Sequence, residues 1–179
     1  MNKTHTAAIA NDEQTGQYLT FVLANETYSI GILGIKEIIE YGVVTSVPMM
    51  PPFIRGVINL RGAVVPVLDL QARFGTGRTE AARRTCIVIV EVRNATETLD
   101  VGILVDAVNE VVGISAEDIE PAPTLGSSID TRFIAGMGRV DGQFVVILNV
   151  DQVADYATLA NKVLATTTAN EPVALPLAA

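Results

Sequence analysis

The chain has 179 residues, enough for one domain or two closely packed small ones, and 49% of them are apolar, which excludes a disordered chain. A formal net charge of −8 excludes nucleic acid and anionic bilayers as principal partners, because both are bound through accumulated Lys and Arg. Apolar runs are all too short for a membrane helix, the opening carries no signal-peptide core, and the single Cys86 has no partner for an internal disulfide, so the sequence reads as cytosolic.

In chain order, residues 1–16 are polar and patternless and read as a flexible tail. Tyr18 to Leu23 and Tyr28 to Leu33 are β-type runs flanking Ala24-Asn25-Glu26-Thr27, a hairpin. Pro48, Pro51 and Pro52 then bar a long helix or a central strand. Val57 to Leu60 and Ala63 to Leu68 follow as strands around Arg61-Gly62, where the glycine gives the turn its backbone freedom. Arg78, Arg83 and Arg84 sit in a Gly/Thr/Ala-rich stretch that reads as a solvated linker. Cys86 heads the apolar run Ile87 to Val90 and reads as a buried core thiol. Ile87 to Val92 and Leu99 to Val105 form a second hairpin. From Val150 to about Leu164 the apolar residues keep helical spacing, so one face of a helix caps the second lobe. The chain from 157 onward is the end of that helix and a second flexible tail.

The sequence repeats itself. Phe53-Ile54-Arg55-Gly56 to Leu70 lines up without a gap on Phe133-Ile134-Ala135-Gly136 to Val150. Gly31-Ile32-Leu33 answers Gly102-Ile103-Leu104, and Ile35-Lys36-Glu37-Ile38-Ile39 answers Val108-Asn109-Glu110-Val111-Val112 after a two-residue slip. Residues 18–85 and 86–153 therefore read as two copies of one unit, forming two lobes of a domain spanning 17–156. The period is too long for a solenoid, and the seam between two such lobes is a natural binding site. Short Val/Ile/Leu-rich strands bounded by turn residues point to small closed barrels.

Catalytic chemistry is sparse. The one histidine, His5, lies in the predicted tail, which rules out histidine acid-base chemistry and multi-histidine metal sites. Gly136-Met137-Gly138 imitates a dinucleotide loop, but no helix follows to hold a pyrophosphate, so it reads as a β-turn. Glu37, Asp69, Asp106, Glu110 and Asp118 are separated by apolar strands and show no acid-base spacing. Arg61 stands where the second copy has Asp141, and Glu37 stands in an apolar frame. They read either as a surface turn and a surface edge, or as a charged pair fixing register beside an apolar patch in an interface.

Phe53-Ile54-Arg55-Gly56-Val57-Ile58-Asn59-Leu60-Arg61-Gly62 continuing to Val65-Pro66-Val67-Leu68-Asp69-Leu70 resembles the signature of CheW-type chemotaxis coupling proteins. Gly102 to Val112 resembles a second signature of that family, and Pro121-Ala122-Pro123 followed by Phe133-Ile134-Ala135-Gly136 a third. The resemblance implies a mainly β fold of two SH3-like five-stranded barrels with a C-terminal helix, and no enzymatic activity or cofactor. It implies an adaptor between the hairpin tips of chemoreceptors and the regulatory domain of a histidine kinase, with further copies of itself as partners in array rings. Carried over by position, the receptor-facing groove takes Ile35, Glu37, Ile38, Gly56, Asn59 and Arg61 with Val105 and Val108. The kinase contact falls around Tyr41, Val43 and Thr45. The alternative is a small-molecule-binding or minor hydrolytic barrel using the carboxylates above; a self-assembling structural protein is a third reading.

Overall fold

The computed structural model describes residues 15–93, 97–124 and 129–155. Eleven strands are present in them: β1 (Thr15–Leu23), β2 (Glu26–Gly31), β3 (Ile35–Glu40), β4 (Ile54–Leu60), β5 (Ala63–Asp69), β6 (Cys86–Arg93), β7 (Thr98–Val105), β8 (Ala107–Ser115), β9 (Ile119–Glu120), β10 (Ile134–Val140) and β11 (Gln143–Leu148). Two short helices, α1 (Leu70–Phe74) and α2 (Val150–Val153), follow β5 and β11. His5, the first fourteen residues of the expected tail, and the expected helix and tail from residue 156 on lie outside the described residues. Thr15 and Gly16 belong to β1 rather than to a tail, because Thr15 pairs with Ser115 of β8.

The tight turns follow local chemistry. Ala24 and Asn25 both take positive φ, as do Arg61 with Gly62 and Asp141 with Gly142. Two consecutive left-handed residues make the turn whose twist matches a β-hairpin. Gly136 and Gly138 lie inside β10, not in a turn, so the glycine run that imitates a dinucleotide loop is strand. Pro66 sits inside β5 opposite Val57. It is tolerated because Val57 spends both its N–H and its carbonyl on Thr45, at 2.8 and 2.9 Å, so no ladder bond is required of the proline on that side.

The repeat is visible in the pairing. In β4–β5, Ile54 faces Leu68, a bulge intervenes, and Gly56 faces Val67 through to Leu60 facing Ala63. In β10–β11, Ile134 faces Leu148, a bulge intervenes, and Gly136 faces Ile147 through to Val140 facing Gln143. Outside these hairpins, Val67 lies beside Gly102 and Ile147 beside Ser29, so Ser29 is the counterpart of Gly102. Ile38 faces Val88 and Val111 faces Leu19, so Ile38 is the counterpart of Val111. Gly31 then answers Leu104 rather than Gly102, and the slip inferred from sequence disappears.

One sheet runs β8-β1-β2-β11-β10-β9 and the other β3-β6-β7-β5-β4. Each sheet therefore draws its opening hairpin from the other copy, and neither coincides with residues 18–85 or 86–153. Adjacency in sequence suggested contiguous lobes; the exchange overturns that, because β1–β2 finds its parallel partner in β11, and β6–β7 finds its own in β5. The sixth strand, β9, pairs Glu120 with Met137, and its counterpart in the first copy is the isolated bridge of Thr45 with Val57.

The larger core collects residues from both sheets, among them Phe21 and Ile30 from one and Leu68, Val88 and Ile103 from the other. A smaller core of Ile58, Val65, Val67, Ile87, Ile89 and Leu104 lies within the five-stranded sheet. Arg73 of α1 marks the seam between copies, lying 4.9 Å from the Phe53 ring and 4.6 Å from the equivalent Phe133 ring. Cys86 is half-buried and packs against the larger core, with its thiol donating to the Arg84 carbonyl at 3.3 Å. Residues 75–85 are not simply a solvated linker: the three arginines are exposed, but Thr79 and Thr85 are buried.

Candidate partner-binding surface

Arg61 and Glu37 meet. The β4–β5 turn holds Arg61 in the left-handed region at φ 52°, with Gly62 donating its N–H to the Asn59 side chain at 2.9 Å. From there Arg61 donates through Nη1 and Nη2 to the two oxygens of Glu37, at 2.8 and 2.9 Å. The two-pronged geometry fixes both side chains in one plane. Arg61 remains 77% exposed while Glu37 is 24% exposed, so β3 presents a carboxylate whose charge is already met and a guanidinium that faces solvent.

β3 alternates. Lys36, Ile38 and Glu40 point outward, while Ile35, Glu37 and Ile39 are half-buried. Ile38 is an exposed aliphatic beside the ion pair. Ile35 packs against the larger core and offers only part of its surface. Lys36 is anchored sideways, 2.7 Å from Asp100 and 3.4 Å from Glu91, and these carboxylates, Asp100 foremost, push its ammonium up from the ordinary lysine range.

The remaining candidates divide by role. Gly56 is buried at φ 151°, and a side chain there would run into the Thr45 carbonyl and Val44, so it serves close approach of two backbones. Asn59 is exposed and ties the turn. Val105 is completely buried, so direct partner contact by Val105 is overturned: it closes β7 with its side chain inside the larger core. Val108 is half-buried, packed on that core, and is the counterpart of Ile35. The exposed aliphatic on β8 is Val111. The sequence did signal it, because the repeat aligns it with Ile38. Phe144 on β11 is likewise exposed, capped by Arg139 at 5.3 Å.

Tyr41, Val43 and Thr45 lie on the segment that leaves β3 and crosses to the edge of β4. Tyr41 is half-buried, with Arg55 5.9 Å from its ring and its N–H on the Thr85 carbonyl. Thr45 is held by its two backbone bonds to Val57, and Val43 between them projects into solvent. Met49 extends the exposed apolar surface further along.

Three of the five carboxylates a hydrolase would draw on are engaged structurally. Asp69, fully buried, accepts from Thr79 N–H and Oγ1, caps α1, and lies 3.5 Å from Arg55. Asp106 accepts from the Ala24 N–H and the Gln71 amide. Glu37 belongs to Arg61, while Glu110 and Asp118 are exposed. Among the described residues no cluster of His, Cys, Asp or Glu could hold a metal ion.

The family model of the CheW-like domain matches residues 17–158. The chain is 36% identical to the chemotaxis protein CheW of Bacillus subtilis over 151 residues, covering 84% of this chain and 92% of that protein. It is 33% identical to the chemotaxis protein CheW of Klebsiella aerogenes, covering 83% and 87%. Among structures, it superposes on the scaffolding protein TtCheW from Thermoanaerobacter tengcongensis with a TM-score of 0.70 at 36% identity, covering 77% of this chain and 86% of that one.

Proposed function

The chain belongs to the CheW-like domain family, and we propose that its Glu37–Arg61 rim with Ile38 is the surface that receives a chemoreceptor's cytoplasmic hairpin tip. The protein is an adaptor of bacterial chemotaxis. The receptor surface extends over Asn59 and the exposed part of Ile35, with Gly56 holding the backbone beneath it. Val108 and the more exposed Val111 supply the contribution of β8. The kinase regulatory domain engages Val43 and its flanks, Tyr41 and Thr45, and further copies of the chain join it in arrays. Its place is the cytoplasm, beneath membrane-anchored receptors; among the described residues no helix is long and apolar enough to cross a membrane.

The observation that carries this reading is the ion pair itself. Two charges from segments 24 residues apart are locked in one plane beside an exposed aliphatic. An exposed pair of this kind adds at most about 1 kcal/mol to stability, so stability alone is a weak account of it. A rim that orients an apolar helix by charge is a better one. The test is a double-mutant cycle: Arg61→Glu and Glu37→Arg should each weaken receptor-dependent kinase activation, and the double reversal should recover part of it. Strictly additive losses, or normal coupling in Arg61→Glu, would reject the role of the pair.

A further inference from the structure

Cations are unevenly compensated over the molecule. Every described lysine and arginine outside residues 75–85 lies in an ion pair, except Arg73, which sits against the Phe53 and Phe133 rings. Arg78, Arg83 and Arg84 are exposed and have no carboxylate partner among the described residues. In a chain of net charge −8, the uncompensated cations are thus gathered in one stretch, within which only Glu80 opposes them.

That stretch is tied in place. The Ala82 N–H donates to Thr85 Oγ1 at 2.8 Å and the Thr85 N–H to the Ala82 carbonyl at 3.1 Å, which puts Arg83 and Arg84 at the two central positions of a closed turn. Thr85 is buried, and its carbonyl accepts from the Tyr41 N–H at 3.1 Å. Arg55, 5.9 Å from the Tyr41 ring, donates to the carbonyl of buried Thr79 at 3.0 Å, so the segment is fastened beside Tyr41 at both ends. Beyond Tyr41 the exposed aliphatic Val43 follows, with Met49 further along. Two adjacent guanidiniums without a partner repel each other, so folding stability gives no reason to hold them there.

We propose that the Ala82–Thr85 turn is the charged rim of the kinase-facing surface around Val43, and that it selects an acidic complement on the kinase regulatory domain. The inference rests on the reading that the kinase engages Tyr41, Val43 and Thr45, and adds the chemistry of the partner: carboxylates flanking an apolar patch. Continuity supports it, because the turn is bonded to Tyr41 itself. Composition supports it too, since apolar residues ringed by charge are the ordinary anatomy of a protein interface.

The experiment titrates the full chain with the regulatory domain of its own organism's chemotaxis kinase, in calorimetry at about 50 and about 300 mM salt. Affinity of the parent should fall as salt rises. Arg83→Glu combined with Arg84→Glu should weaken binding about tenfold or more at low salt and remove most of the salt dependence, whereas Arg83→Lys with Arg84→Lys should keep most of the affinity. Both arginines are exposed, so the fold should survive, as the urea midpoint verifies. Salt-independent binding by the parent, or undiminished binding by the double reversal, overturns the proposal. Val43→Asp separates this from the underlying reading: loss there without loss in the double reversal rejects only the charged rim, and normal binding in both rejects the kinase surface as well. A double reversal that instead loses receptor binding, or self-association in the ultracentrifuge, while holding the kinase normally assigns the turn to another partner and overturns the proposal equally.

Discussion

At the scale of single residues, the two copies act as each other's control. Arg55 and Asp69 form a charged pair in one copy where Ala135 and Asn149 stand in the other. The pair comes and goes together because a fully buried carboxylate needs both a cation and donors to offset its desolvation. Asp69→Ala should therefore destabilise the protein by about 3 kcal/mol or more, since it strips Thr79 and the α1 cap while leaving Arg55 without its partner. Asp69→Asn combined with Arg55→Ala, which imitates the second copy, should cost less than the two single changes added together; urea unfolding of the four proteins measures the coupling. Tyr28 provides a second case. Burial first, and then the hydrogen bond it donates to Glu26, raise its phenol above the ordinary tyrosine range. A raised folded-state value favours the protonated form, so this contribution is intact below about pH 10 and is lost as the pH rises toward the folded-state value. One tyrosine should then ionise late in a phenolate absorbance titration, and Tyr28→Phe should abolish that late component.

Elements show what sequence can and cannot disclose. The strands read from apolar runs and turn residues, β1, β2, β4 to β7, stand within a few residues of their expected limits. β3 and β8 do not read as strands for different reasons: β3 keeps its alternation but puts Glu37 on the half-buried side and Ile38 on the exposed one, whereas the bulge opposite Phe21 breaks the two-residue period of β8. Glu37 and Arg61 could be paired from their repeat asymmetry and the family resemblance, whereas Val105 was assigned to the groove by position within that resemblance alone, which carries no record of burial. The segment after β3 had no periodicity to read, since its order rests on two backbone bonds between Thr45 and Val57 and on the bare backbone of Gly56. Gly56→Ala should accordingly cost about 2 kcal/mol through strain at positive φ. It should also weaken binding of both partners, because Gly56 holds the backbone beneath the receptor surface and Val43 hangs from the displaced segment. Unchanged kinase binding in a folded Gly56→Ala protein would show that the Val43 segment does not depend on this packing.

For the whole molecule, the exchanged hairpins decide how the copies depend on each other. The five-stranded sheet needs β6 and β7 from the second copy to join β3 to β5, and the six-stranded sheet needs β1 and β2 from the first to join β8 to β11. Neither repeat owns a complete sheet, and the larger core closes only when both are present. Unfolding should thus be a single cooperative transition, despite two sheets and a twofold repeat. A chain cut between residues 85 and 86 sharpens the point. Either fragment alone would expose unpaired strand edges and half a core, so it should be unfolded by circular dichroism, or associate with a second copy of itself that supplies the missing hairpin. Mixed in equal amounts, the fragments should regain the native spectrum, with a midpoint that rises with concentration because folding has become bimolecular. A folded monomeric fragment in the ultracentrifuge would contradict this account, since it would have to close a barrel with strands that it does not contain.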